Sequence, residues 1–191
     1  MSSQEILFAG FGGQGILSMG KFLAYAGMES GLNVSWLPSY GPEMRGGTAN
    51  CSVILTDKAI DSPIVNEAST LVVMNIPSLD KFENSVKPNG LLIIDSDLIN
   101  RTSNREDIEI ISIPAQTIAE EIGSKTIANM VLLGALISKT KIVSMETVLK
   151  SLKEHGKEKF YEANKKALEK GADYASKIIK HTKEKINTVI K

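Results

Sequence analysis

The chain has 191 residues, of which 42% are hydrophobic and 23% are charged, a composition ordinary for one globular domain with a single core. Its lone cysteine, Cys51, excludes an internal disulfide, a cysteine-rich zinc site and an iron–sulfur cluster held by this chain alone. Residues 1–5 lack the basic and apolar regions of a signal peptide, and the apolar run at 130–137 is far too short to span a membrane. We therefore expect a cytoplasmic protein of one domain, 1–191, without a membrane partner.

The net charge of zero argues against nucleic-acid binding, but it conceals an asymmetry along the chain. Residues 1–149 contain 10 Lys and Arg against 16 Asp and Glu, whereas residues 150–191 contain 12 against 6. A basic segment of this kind is most often the solvated face of a helix. The alternative is that it docks onto an acidic partner.

The strands are predicted from short apolar or β-branched runs that end at turn residues. In chain order they are 6–9, 34–37, 48–56, 59–65, 70–74, 91–94 and 108–113. The first two, with a helix over 14–30 between them, form the β-α-β opening of a parallel sheet, and Pro38 ends the second. Strands 48–56 and 59–65, the latter interrupted by Pro63, predict an inserted antiparallel hairpin. Residues 87–90, Lys-Pro-Asn-Gly, predict a turn.

Further helices are predicted over 78–86, 115–122, 126–138, 145–153 and, as a long amphipathic helix, 157–179. One apolar stripe of the long helix comprises Phe160, Ala163, Ala167, Leu168, Ala172, Ala175 and Ile179. The predicted fold class is therefore α/β: a Rossmann-like, mixed but mostly parallel sheet with helices on both faces and a C-terminal helical segment.

A glycine-rich turn, Gly10-Phe11-Gly12-Gly13-Gln14-Gly15, joins the first predicted strand to the first helix. Its spacing fits the dinucleotide fingerprint, in which glycines let the backbone approach a phosphate at the helix N terminus. That fingerprint also requires an acidic residue after the second strand, where Pro38 and Ser39 stand, and no Gly-Lys-Ser/Thr follows as a P-loop would need. The glycines are therefore interpreted either as an anion site or as tight helix–strand packing alone.

A second loop, Tyr40-Gly41-Pro42-Glu43-Met44-Arg45-Gly46-Gly47, follows the second predicted strand. Because loops after parallel strands emerge at one edge of a sheet, we expect Arg45 near the glycine turn, where its guanidinium would clamp a phosphate or carboxylate. An Arg45 pairing with Glu43 or with backbone, which would merely hold the loop, is an equal alternative. The candidate binding residues are Gly10, Gly12, Gly13, Gln14, Gly15, Tyr40, Glu43, Arg45, Gly46 and Gly47.

The remaining reactive side chains suggest no chemistry of their own. Cys51 alternates with polar residues in a predicted strand and is interpreted as a small core residue. His155 and His181 stand in polar helical surroundings, so we expect both to be solvated. No Ser/His/Asp set, carboxylate pair or metal-ligand cluster is evident, and no catalytic or metal-binding residue is predicted.

Four motifs together resemble the γ subunit of 2-oxoacid:ferredoxin oxidoreductases. They are the glycine turn, the Tyr40–Gly47 loop, Ser62-Pro63-Ile64-Val65 and Asn129-Met130-Val131-Leu132-Leu133-Gly134-Ala135, and they occur in the family's order over roughly residues 5–175. The combination of Gly-Gly-Gln-Gly with Arg-Gly-Gly is specific, although each element alone is weak. The resemblance implies a single γ-type domain that supports an active site carried mainly by other subunits.

The resemblance also implies the partners and cofactors. Such complexes oxidise a 2-oxoacid to an acyl-CoA with thiamine diphosphate, Mg and iron–sulfur clusters on α and β subunits, and in some complexes a ferredoxin-like δ subunit, with ferredoxin as electron acceptor and CoA as co-substrate. This chain would bind no cofactor alone and would be inactive in isolation. The form of the second loop, through Cys51, resembles 2-oxoglutarate enzymes most and then branched-chain enzymes. The alternatives are a stand-alone nucleotide-binding protein and an indolepyruvate oxidoreductase subunit.

Overall fold

The computed structural model describes residues 3–39 and 48–189 and contains six strands and six helices within them. In chain order these elements are β1 (Gln4–Phe11), α1 (Ile16–Glu29), β2 (Asn33–Ser39), β3 (Thr48–Thr56), β4 (Ala68–Val73), α2 (Ile76–Phe82), β5 (Val86–Asp95), β6 (Glu109–Ile113), α3 (Ala115–Ile122), α4 (Ala128–Thr140), α5 (Met145–His155) and α6 (Tyr161–Val189). Short 3-10 turns precede α4 and α6 and follow α2. No helix among these residues is both long and apolar enough to span a membrane.

The strands form one sheet in the order β2-β3-β1-β4-β5-β6. β1, β4, β5 and β6 run parallel, and β3 is antiparallel to both of its neighbours. The predicted mixed, mostly parallel sheet is therefore confirmed. The two strands of the predicted β-α-β opening are parallel, but β3 lies between them, so β1 and β2 are not hydrogen-bonded neighbours.

The predicted hairpin was also paired wrongly. Strand β3 pairs with β2, which precedes it, rather than with residues 59–65, which contain Pro63 and are not a strand. A proline cannot donate a ladder hydrogen bond, so the 57–67 segment connects β3 to β4 without joining the sheet. Pro38 does not end β2 as predicted. It lies opposite Cys51 within this edge strand, where the missing N–H is tolerated.

Residues 87–90 form an irregularity inside β5 rather than a turn between elements. The pairing of β5 with β4 shifts between Ala68–Val86 and Thr70–Leu91, and Asn89 adopts a φ of +61°. Asparagine is among the non-glycine residues that tolerate this left-handed conformation. The residues that predicted a turn therefore do bend the backbone locally, but they lie within one strand and do not separate two elements.

The helices cover both faces of the sheet, as predicted. Alternate residues of β1 show the two sides: Ile6 and Phe8 join the core under α1 and α3–α6, whereas Leu7 and Ala9 join the core under α2. Helix α2 begins earlier than the predicted 78–86. Asn75 caps it by accepting a hydrogen bond from the Ser78 N–H at 2.8 Å, with proline in the first turn.

The predicted C-terminal helical segment is α6, which packs against α4. Two glycines bring these helices together: an added Cβ on Gly134 would lie 2.0 Å from the Leu168 carbonyl oxygen, and one on Gly171 would lie 1.9 Å from the Val131 carbonyl oxygen. Ala167, Leu168 and Ala175 of the predicted stripe are buried. Phe160 is not part of that buried stripe, since it lies in the 3-10 turn before α6 and is 45% exposed.

Candidate functional site

The glycine turn reverses the chain between the end of β1 and the start of α1 by means of left-handed backbone conformations. Gly13 has a φ of +92° and Gly15 a φ of +76°. At such positive φ values a Cβ atom clashes with the following carbonyl oxygen, so these two positions require glycine. The spacing of glycines in the sequence does not by itself show this requirement.

The Gln14 side chain holds the turn together from inside. Its Oε1 atom accepts a hydrogen bond from the Phe11 N–H at 2.6 Å, and its Nε2 atom donates to the Met74 carbonyl oxygen at 3.1 Å. Gly10 makes room for this side chain, because an added Cβ would lie 2.7 Å from Gln14 Oε1. Gln14 and Gly10 thus have structural contacts, and a ligand role for either stays a prediction.

The N terminus of α1 has no side-chain cap. Gly15 occupies the N-cap position, and no acidic residue lies in the first turn. The carbonyl of Gly15 accepts a hydrogen bond from Asn129 Nδ2 at 3.1 Å, which fixes the turn to the start of α4. An uncapped helix N terminus presents backbone N–H groups and a partial positive charge, and both favour an anion.

One side of the turn is open. Gly12 and Gly13 are exposed, and no atom lies within 4 Å of a Cβ built on Gly13. By contrast, a Cβ on Gly15 would lie 2.3 Å from Asn129 Nδ2. The turn therefore has an inner side packed on the fold and an outer side at Gly13 that a ligand or partner could approach.

The turn lies at the point where the sheet connections change sides. β1 and β4 are parallel neighbours, yet α1 follows β1 onto one face and α2 follows β4 onto the other. Ligands of open α/β sheets bind in the crevice outside the carboxyl ends of two such strands. Gln14 bridges this crevice, and beside it the buried Asn75 Nδ2 and Ser78 Oγ atoms have no hydrogen-bond partner among the described residues.

The second loop lies outside the described residues. This applies to Tyr40, Glu43, Arg45, Gly46 and Gly47 as candidate binding residues, so their roles stay predictions. The strands on either side of the loop, β2 and β3, are described: Thr48 pairs with Phe11, and Asn50 pairs with Ser39. β2 and β1 are parallel although β3 separates them, and both ends of the loop therefore lie on the glycine-turn edge of the sheet.

Cys51 is a core residue, as predicted. Its side chain is fully buried against α1 and donates a hydrogen bond of 3.6 Å to the Ile16 carbonyl oxygen. Burial raises the pKa of the Cys51 thiol to about 12, so the reactive thiolate is not populated at neutral pH. No group of three His, Cys, Asp or Glu side chains capable of holding a metal occurs among residues 3–39 and 48–178.

His155 is exposed at the end of α5, but it is not simply solvated as expected. Its ring stacks on Tyr25 of α1, with 3.6 Å between ring centroids and 14° between planes. The side chain of His181 lies outside the described part of the chain. The stack joins α5 to α1, the helix that follows the glycine turn.

Asp95, a fully buried carboxyl at the end of β5, is not among the residues predicted from the sequence. It accepts hydrogen bonds from Gln116 Nε2 at 2.8 Å and from the Asp97 N–H at 3.2 Å. Burial raises the pKa of the Asp95 carboxyl above its ordinary value, although these hydrogen bonds oppose the shift. The signal was available, because an acid directly follows the apolar run at 91–94.

The raised pKa of Asp95 should make the stability of the chain depend on pH. The native Asp95 carboxyl binds its proton more tightly than the unfolded one, whose pKa is about 3.9, so its contribution is lost as pH rises above about 4. Asp95→Asn removes this loss, and the variant should gain stability relative to the unmodified chain between pH 4 and pH 8, measured by urea unfolding.

Asp107→Asn is the control with the opposite sign. The hydrogen bond from Arg105 lowers the pKa of the Asp107 carboxyl, so the unmodified chain should gain stability over that variant as pH rises towards about 4, and the difference should stay constant above about pH 5. A difference between Asp95→Asn and the unmodified chain that stays constant between pH 4 and pH 8 would contradict a raised pKa of Asp95.

Comparison with known proteins identifies the family. Residues 5–174 match the family described as pyruvate ferredoxin/flavodoxin oxidoreductase. The ketoisovalerate oxidoreductase subunit VorA of Methanothermobacter marburgensis is 39% identical over 91% of this chain, which spans only 37% of VorA. The 2-oxoglutarate synthase subunit KorC of Methanocaldococcus jannaschii is 35% identical, over 92% of this chain and 95% of KorC.

Solved structures share the fold. The γ subunit of a keto/oxoacid ferredoxin oxidoreductase from Geobacter sulfurreducens superposes with a TM-score of 0.80 and 31% identity, over 90% of this chain and 98% of that one. The 2-oxoglutarate:ferredoxin oxidoreductase of Magnetococcus marinus, solved with 2-oxoglutarate, coenzyme A and succinyl-CoA, gives a TM-score of 0.84 and 25% identity over 92% of this chain and 31% of that one. The match over most of its length and the shared fold show that this chain belongs to the pyruvate ferredoxin/flavodoxin oxidoreductase family.

Proposed function

We propose that this chain is the γ subunit of a 2-oxoacid:ferredoxin oxidoreductase and that its glycine turn forms one wall of an active site completed by partner subunits. The observation that carries the proposal is the uncapped N terminus of α1 beside the open face of Gly13. The partners, α and β and in some complexes a ferredoxin-like δ, would carry thiamine diphosphate, Mg and iron–sulfur clusters. Together these supply oxidative decarboxylation of the 2-oxoacid and electron transfer to ferredoxin.

The proposed role of this chain in the reaction is to bind an anion. The backbone N–H groups at the start of α1 would donate to a phosphate, and Gly12 and Gly13 would let it approach the backbone closely. Arg45, on the loop whose ends lie at the same edge of the sheet, would contribute a charged donor pair. We propose coenzyme A as the molecule that brings this phosphate, since a related complex binds coenzyme A and succinyl-CoA.

For the 2-oxoacid itself we propose 2-oxoglutarate, with a branched-chain 2-oxoacid as the alternative to be measured. The relatives named above include subunits of both kinds of enzyme, VorA and KorC. The loop sequence through Cys51 favours the 2-oxoglutarate type. Rates of acyl-CoA formation by the purified complex with 2-oxoglutarate and with ketoisovalerate would decide between them, and the preferred 2-oxoacid should have the higher kcat/KM.

Native purification tests the assembly. The chain should copurify with larger chains that contain thiamine diphosphate and iron–sulfur clusters, and the separated chain should not form acyl-CoA. A chain that purifies alone and catalyses a redox reaction by itself would overturn the proposal.

Gly13→Ala tests the site itself. We expect the substitution to lower kcat/KM for coenzyme A in the assembled complex by about tenfold or more, because the added methyl group would stand on the open face of the turn. The matched control is Gly31→Ala, since Gly31 also has a positive φ, +74°, and open space around it, but lies at the other end of α1. Both variants should lose a similar stability, about 1 kcal/mol. Equal kinetic effects of the two variants would contradict a role for the open face of the turn.

A further inference from the structure

A cleft of about 520 Å³ opens on the flank of α1, between this helix, the start of α4 and the junction of α5 with α6. Gly15 and Ser18 line the end nearest the glycine turn, but Gly12 and Gly13 are not among its lining residues. The cleft is therefore next to the proposed active-site wall and distinct from its open face. Its volume lies in the range of small-molecule sites, about 300–1,000 Å³.

The charged groups that line the cleft are all cationic. Lys21 projects from α1 and Lys157 from the α5–α6 junction, and no Asp or Glu is among the lining residues. Neither lysine has a carboxylate partner in the described part of the chain, whereas nearby Lys150 pairs with Glu29. The Lys21 ammonium lies 5.6 Å from the centroid of the Tyr25 ring. Two ammonium groups without carboxylate partners are suited to an anionic ligand.

The rest of the lining is apolar and aromatic, with amide groups between. Phe22, Met130 and Phe160 supply the apolar surface, and Asn164 supplies a half-buried amide. Phe160 is 45% exposed, and the Lys159 ammonium lies 4.8 Å from the centroid of its ring. A large aromatic ring exposed at the mouth of a cationic cleft offers a stacking surface for a flat ring.

We infer that this cleft binds a nucleoside phosphate, with the phosphate between Lys21 and Lys157 and the base against Phe160. A small dicarboxylate would satisfy the lysines but leave the apolar wall and most of the volume unused. The same chemistry occurs in a free nucleotide and in the nucleotide end of a coenzyme. This site does not depend on the proposed role of the glycine turn, because Lys21, Lys157 and Phe160 lie outside the turn and the chain by itself binds the ligand.

NMR titration of the full-length chain with AMP tests the inference, because the chain has only two histidines and His155 lines the cleft. His181→Gln assigns the two imidazole signals. We expect the His155 signal to shift saturably with AMP, and inorganic phosphate and adenosine each to bind at least about tenfold more weakly than AMP. Absence of a saturable shift at millimolar AMP would overturn the site.

Charge variants locate the ligand. Lys21→Gln and Lys157→Gln should each weaken AMP binding about tenfold, and Phe160→Ala should weaken it severalfold. Lys153→Gln is the matched control, since it removes the same charge from the exposed last turn of α5 without lining the cleft. Equal weakening by Lys153→Gln would show nonspecific attraction and overturn the inference.

Coenzyme A distinguishes the two sources of ligand. Tighter binding of coenzyme A than of AMP, with the same dependence on Lys21 and Lys157, would identify the nucleotide end of the coenzyme. Clearly weaker binding would identify a free nucleotide, and equal binding would show that the cleft contacts only the nucleotide part that both ligands share. Each of these results supports the site. Failure of this titration would leave the Gly13→Ala experiment unaffected, because Gly13 does not line the cleft.

Discussion

Gly171→Ala is expected to lower the free energy of unfolding by about 3 kcal/mol or more. The new Cβ would lie 1.9 Å from the Val131 carbonyl oxygen, and the neighbouring atom is backbone, which cannot rotate away. The helices α4 and α6 would have to separate along their contact. Alanine's better helix propensity, about 1 kcal/mol, opposes this cost without cancelling it. Urea unfolding followed by circular dichroism measures the loss.

Gly27→Ala is the matched control. Gly27 is also buried in a helix, and its added Cβ would lie 2.4 Å from Leu55 Cδ2, the far end of a flexible side chain. This contact can relax by rotation of the leucine, so the loss should be clearly smaller than for Gly171→Ala. Equal losses would mean that α4 and α6 are farther apart than this Cβ–oxygen distance implies. A Gly171→Ala variant as stable as the unmodified chain would contradict the packing directly.

Gly15→Ala is expected to destabilise the fold by about 2–4 kcal/mol and to abolish most acyl-CoA formation by the assembled complex. The loss has two sources. A φ of +76° costs an L-residue about 1–2 kcal/mol, and the new Cβ would lie 2.3 Å from Asn129 Nδ2. Relief of both strains would move the first turn of α1, whose N–H groups are the proposed anion donors. Unfolding and steady-state kinetics measure the two effects.

A double-mutant cycle separates the sources of this loss. Asn129→Ala removes the clash but also the hydrogen bond to the Gly15 carbonyl, worth about 1 kcal/mol. The double variant Gly15→Ala/Asn129→Ala should therefore be less destabilised than the sum of the two single variants. Additive losses would show that the two residues do not contact each other. Recovery of stability without recovery of activity would assign the remaining defect to the backbone conformation of the turn.

The glycines of this chain divide into two physical classes. Gly10 makes room for the Gln14 side chain at the end of β1, and this supports the packing interpretation of the motif. Outside the motif, Gly20 and Gly27 let strand side chains pack closely against α1. Gly13 instead has a positive φ and open space, so packing does not explain it. The two interpretations of the glycine turn therefore apply to different residues within it.

Strong local patterns predicted most of the elements. Helix α3 has the predicted bounds, and the buried strands β4, β5 and β6 contain or overlap the predicted runs. These segments were predictable because their apolar periodicity and turn residues agree with their final environment. The start of α2 was misplaced, although Asn75 followed by a proline is a local capping signal.

The pairing of strands was not predictable in the same way. The β-branched alternation of residues 48–56 identifies a strand, but a strand carries no mark of its neighbours. β3 pairs on one side with β2, which precedes it, and on the other with β1, which is remote in sequence. The same holds for the candidate site. The contact of Asn129 with Gly15 joins residues 114 positions apart, and only the packing of α4 against the start of α1 creates it.

The amino-acid sequence by itself determined the fold class, the glycine turn, the single buried cysteine and the family resemblance, because each depends on residue types at short spacing. The tertiary structure alone decided which glycines pack and which remain open, and which polar side chains lose water. It brought Lys21 and Lys157 to one cleft and buried Asp95 at the end of β5. These outcomes depend on distances between segments remote in the chain, which the packing of helices on a twisted sheet establishes.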